Sequence, residues 1–114
     1  MKVAIAHANA GDVVDVRPLS AALANTRSYA LFKSDGLEVI RLVLQKGEEM
    51  PSHAVAGEIT LQCIEGHIAL TCEAGVRELA AGQLVRLTGN EVHALRAIES
   101  SSLLLTIVLS SPPF

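Results

Sequence analysis

From Ser28 to Leu109 turn-forming residues recur about every ten positions, and the stretches between them are short, aliphatic and β-prone. The candidate strands are Ser28–Lys33, Leu37–Gln45, Glu58–Ile64, His67–Cys72, Val76–Leu79, Gln83–Thr88, His93–Ile98 and Leu103–Leu109. Between them stand Ser34-Asp35-Gly36, Lys46-Gly47, Glu65-Gly66, Ala74-Gly75, Ala81-Gly82 and Gly89-Asn90, each a residue cluster that favours a turn. Many short strands at even spacing predict an all-β sandwich or barrel. Period-two alternation agrees: Ile59, Leu61 and Cys63 share one face, while Glu58, Thr60 and Gln62 share the other. Aromatics are only 3% of the chain, so its core must be built from Val, Leu, Ile and Ala.

The region before Ser28 reads differently. Val3–Ala6 and Val13–Val16 are short β-prone pieces, and Pro18–Asn25 is the one plausible helix, with Leu19, Ala22 and Leu23 on a common face. The chain therefore divides into an N-terminal strand and helix arm, 1–27, and a barrel, 28–114, within one structural domain. At 114 residues it is long enough to bury a single core without staples. Leu37–Gln45 carries Leu37, Val39 and Val43 on one face and Ile40, Leu42 and Leu44 on the other. A strand apolar on both faces needs cover on both sides. A second subunit is one source of that cover, and the expectation is a homodimer.

Charge and composition exclude several classes of function. The net charge of −3 gives no basic surplus for a phosphate backbone, so no nucleic-acid partner is expected. No run reaches the roughly 18 apolar residues of a membrane-spanning helix. The apolar stretch before His7 is too short for a secretory leader. Cys63 and Cys72 make no CxxC pair and read as free thiols in a reducing, cytoplasmic setting. There is no nucleophile elbow, P-loop or dinucleotide fingerprint. Among the four histidines, His7 and His67 read as surface residues, which leaves His53 and His93.

The surroundings of those two histidines carry a family pattern. Gly47-Glu48-Glu49-Met50-Pro51-Ser52-His53-Ala54-Val55-Ala56-Gly57-Glu58-Ile59, continuing to Gly66, resembles the first cupin motif, with Gly47, His53 and Gly66 in register. Gly82-Gln83-Leu84-Val85-Arg86-Leu87-Thr88-Gly89-Asn90-Glu91-Val92-His93 resembles the second, with Gly82 and His93 in register. Thr88 stands where that motif has Pro, and Asn90 where it has Gly; Asn suits a turn that needs positive φ. The close resemblance spans 47–93.

The resemblance implies a single-domain jelly-roll β-barrel, the double-stranded β-helix of RmlC-like cupins, with an internal pocket. Cupins commonly hold a divalent metal there with three His and one Glu or Gln. Here the first His is His53 and the second-motif His is His93, but the second His position is Val55 and the carboxylate position is Ile59. Two of four ligands are thus aliphatic, which leaves a degenerate site. The cofactor expectation is none, or one weakly bound zinc, iron, nickel or manganese ion on His53 and His93. Cys63 shares the parity of Ile59 but lies roughly 13 Å along the strand, too far to complete the sphere. Glu49 and Glu91 read as solvated turn carboxylates. Val55, Ile59, Leu61 and Leu95 line the pocket, which suits a small, partly apolar ligand. Arg86 and Arg96 are the candidates for holding a charged group, although Arg96 has the opposite parity to His93 and Leu95 and so an outward direction. Three readings stand: a small-molecule-binding barrel, a metal-dependent dioxygenase, isomerase or decarboxylase, and a regulatory interaction barrel.

Overall fold

The structure, a computed structural model, describes residues 7–109. The strand expected at Val3–Ala6 and the tail from Ser110 lie outside the described residues. Seven strands follow a short helix: β1 (Tyr29–Lys33), β2 (Leu37–Leu44), β3 (Glu49–His53), β4 (Ile59–Cys72), β5 (Gly75–Ala80), β6 (Leu84–Leu87) and β7 (His93–Val108). All pairings are antiparallel, and β1-β2-β7-β4-β5 run side by side, with β3 added to β7 and β6 to β4.

The expected pair Glu58–Ile64 and His67–Cys72 is one strand, β4, and His93–Ile98 and Leu103–Leu109 join as β7. The Glu65-Gly66 turn signal is real, but it turns a corner within a strand. The β4–β7 register shifts between Cys63 and Ile68. Before the corner β4 pairs with β6 and the second half of β7; after it, with β5 and the first half of β7. The two long strands thereby fold one ladder into two layers. Gly66 has φ +91°, and a Cβ there would stand 2.2 Å from the Ser101 hydroxyl and 2.3 Å from the Ser100 carbonyl. The fully buried Ser101 hydroxyl accepts from the His67 N–H and donates to the Glu99 carbonyl, which satisfies backbone groups that the bulge leaves out of the ladder.

Between the layers lies the core, Leu42, Leu44, Ile59, Leu61, Cys63, Ile68, Leu70, Leu79, Leu87, Leu95, Ala97 and Leu103. Its members come from both layers and follow the predicted alternation. β3 was not expected; its Pro51 breaks the strand signal, yet proline is tolerated on an edge, and β3 pairs with β7 alone.

The arm departs most from expectation. Val13–Val16 forms no strand, and Val13 is 98% exposed. In place of a helix over Pro18–Asn25 there is a 3₁₀ helix over Ser20–Asn25, with no buried residue. So short a segment cannot offset α-helix nucleation, and the tighter 3₁₀ turn takes its place. The arm does supply cover for β2. Val39, Arg41 and Val43 on the outer face are all buried within the single chain. Arm residues share surface clefts with Arg41 and Val43. On that face of β2 Leu37 stays exposed, at 40%.

Candidate functional site

His53 ends β3 and His93 begins β7, and the ladder sets them directly opposite each other. Their ring centroids are 4.4 Å apart at an interplanar angle of 57°. In both rings Nδ1 faces the backbone carbonyl two residues earlier: 3.0 Å to Pro51 O for His53 and 2.9 Å to Glu91 O for His93. A carbonyl only accepts, so each Nδ1 carries a hydrogen, and in the neutral ring the lone pair is on Nε2. Two clamped imidazoles thus present two acceptor nitrogens. His93 is buried and His53 exposed, so the pair runs from the interior to the surface.

Two loops hold this arrangement. The Asn90 N–H donates to the Val55 carbonyl at 2.7 Å, and a Cβ on Gly89 would come within 2.4 Å of the Ala56 carbonyl. Asn90 has φ +62°, the left-handed conformation expected of it. Glu91 corrects the sequence reading, since it is buried rather than solvated. Its carboxylate accepts from the Thr88 N–H and hydroxyl, both at 3.0 Å, and from the Glu73 N–H at 3.1 Å. The Thr88 N–H, then the Thr88 hydroxyl and Glu73 N–H, hold its carboxyl below the usual range. Glu91 thus fixes the loop whose carbonyl orients His93. Its sequence signal is Thr88-x-x-Glu91, the spacing by which a hydroxyl residue and a carboxylate tie a turn together.

The aliphatic residues separate by depth. Ile59, Leu61 and Leu95 are core residues at 3%, 2% and 4% exposure, while Val55 is half-buried and packs on that core. β3 stops at His53, so strand alternation does not reach Val55, which sits in the loop. Arg86 is exposed and paired with Glu58 at 2.5 Å, which removes it as a free cation for a ligand. Arg96 and Glu49 are exposed opposite each other across the β3–β7 ladder. Cys63 is fully buried, its thiol donating to the Glu65 carbonyl at 3.4 Å, and burial pushes its pKa up. Both cysteines are free, and His67 pairs with Glu78 at 2.7 Å.

The donor set does not fit a tightly held metal. Among the described residues no group of three His, Cys, Asp or Glu side chains converges, whereas catalytic zinc sites usually take three protein ligands. Val55 and Ile59, where the resemblance expects the other two ligands, have aliphatic side chains with no lone pair to give.

No known family model and no curated protein sequence matches the chain. Solved structures do. A conserved protein of unknown function from Streptococcus pyogenes aligns over 96% of this chain and 100% of its own, at 22% identity and TM-score 0.74. A cupin superfamily protein from Desulfitobacterium hafniense aligns over 90% and 100%, at 16% identity and TM-score 0.74. An RmlC-like cupin with a double-stranded β-helix from Methanocaldococcus jannaschii aligns over 71% and 77%, at 23% identity and TM-score 0.66. The chain is an all-β protein with the jelly-roll, double-stranded β-helix fold of the RmlC-like cupins, and among the described residues its helical part is one short 3₁₀ helix.

Proposed function

We propose that this barrel binds a small, partly apolar molecule, anchored by the Nε2 atoms of His53 and His93 and resting on Val55 over the core residues Ile59, Leu61 and Leu95. The observation that carries the reading is the matched tautomer of the pair: two backbone carbonyls hold both Nδ1–H groups and leave two acceptors. Such a pair suits a ligand that offers hydrogen-bond donors beside an apolar body. Any divalent ion on two imidazoles is held weakly, with water in its remaining positions.

One observation favours a second reading, a metal-dependent enzyme of dioxygenase, isomerase or decarboxylase type. Imidazoles that bind metal usually donate their other N–H to a carbonyl or carboxylate, as both do here. The test is a fragment screen by ligand-observed NMR on the metal-free wild type, repeated on His53→Ala. His53 is exposed, so its truncation leaves the fold intact. The proposal expects amphiphilic donor fragments that bind the wild type and are lost in the variant. Binding only after zinc or nickel is added would overturn it in favour of the enzyme.

A further inference from the structure

A second site lies on the other side of β2, outside the barrel. Arg41 stands mid-strand between Val39 and Val43 and is 1% exposed. Its Nε and Nη1 atoms are sealed from solvent and have no hydrogen-bond partner among the described residues. Burying a guanidinium without an acceptor costs several kcal/mol. The acids whose charge reaches it, Asp15 and Glu65, are committed elsewhere. Asp15 accepts from the Arg17 backbone N–H at 2.9 Å and from its guanidinium at 2.7 Å. Glu65 accepts from the Leu19 N–H at 2.7 Å, the Ser20 N–H at 3.0 Å and the Ser102 hydroxyl.

Arg41 also lines an open cleft of about 590 Å³ together with Tyr29, Ser20 and the Asp15–Arg17 pair. Tyr29 is the residue opposite Arg41 across the β1–β2 ladder. We propose that this cleft binds a monovalent oxyanion, a small carboxylate, with Arg41 as its charged anchor and the Tyr29 and Ser20 hydroxyls as neutral donors. Charge selects the carboxylate. Two guanidinium groups and two carboxylates already balance here, so a monoanion adds one negative charge and a phosphate dianion two. Leu19 and Ser20 line the same cleft, and the proposal includes their displacement, because Nε and Nη1 are sealed. The site is independent of the histidine pair, which lies within the other layer's ladder, between β3 and β7.

The test follows the thermal midpoint of the wild type and Arg41→Met with rising sodium acetate, chloride holding the ionic strength constant and inorganic phosphate as a parallel probe. The wild type is expected to gain stability with acetate and to gain less with phosphate. Arg41→Met is expected not to respond, and without acetate to be at least as stable as the wild type, since a buried guanidinium without an acceptor is gone. The Arg41 Nε–H resonance of arginine-labelled wild type gives a second readout that needs no variant, and it should shift as acetate is added. The proposal is overturned if acetate moves neither midpoint nor resonance, or if Arg41→Met responds equally. An equal or larger response to phosphate also overturns it, as does a stability gain that follows protein concentration rather than acetate.

Discussion

Glu91 and Glu65 show how single carboxylates hold this fold in shape. The Thr88 N–H is the main group that lowers the Glu91 carboxyl. At Glu65 burial pushes upward, but the Ser102 hydroxyl and the Leu19 and Ser20 N–H groups outweigh it, leaving that carboxyl low as well. In the unfolded chain both titrate near the ordinary carboxylate value of about 4.5. Between that value and the lower folded one, the unfolded chain binds more protons, so stability rises with pH. The contribution is complete above the ordinary value and is lost as pH falls through the folded one. Urea midpoints from acid to neutral pH should therefore show an acid loss that is smaller in Glu91→Gln than in the wild type; an identical loss would remove Glu91 from the account. The histidines divide by burial: His53→Ala should change stability by less than about 0.5 kcal/mol, and His93→Ala should cost about 1–3 kcal/mol. Equal costs in chemical denaturation would contradict the picture of one ring buried and one exposed.

At the scale of elements, the corner at Gly66 makes one strand of two predicted ones. Gly66→Ala meets both a positive φ and a collision with Ser100 and Ser101, whereas Gly82→Ala meets only its φ of +89°, with open space around it. Gly82→Ala should cost about 1–2 kcal/mol and Gly66→Ala clearly more. Equal urea midpoints for the two variants would mean that β4 does not pivot on that contact. The same elements show what was legible in the sequence. Alternation over Ile59–Cys63 and Ile68–Cys72 reported the inner face correctly, because burial on one side imposes period two. The turn signal at Glu65-Gly66 was visible, but whether a turn ends a strand or bends it depends on partners distant in sequence, here the serines of β7. β3 was hidden because Pro51 and exposed side chains remove the apolar pattern. The 3₁₀ arm departs from the expected helix because the Leu19 and Ser20 N–H groups are held by the Glu65 carboxylate on β4, a contact that propensity cannot report. His53 and His93 stood out through their motifs, whereas Arg41 was lost in an apolar strand and Glu91 passed for a turn residue.

For the molecule as a whole, one ladder folded in two encloses an aliphatic core and brings two loops of separate motifs side by side. Among the described residues no helix is long and apolar enough to cross a membrane. The proposed function takes Val55 and Ile59 as the ligand positions beside His53 and His93, with the natural site a two-imidazole anchor. The direct measurement is the thermal midpoint of wild type and of Val55→His with Ile59→Glu, with and without excess zinc or nickel. Without metal the double change should cost about 1–3 kcal/mol for each apolar side chain made polar. With metal a three-His, one-Glu site should regain that stability by mass action, so a large metal-dependent rise is predicted in the double variant alone. An equally large rise in the wild type, abolished by His53→Ala, would contradict the account and put the metal-dependent enzyme in its place. No rise in either protein would show that Val55 and Ile59 do not face the histidine pair.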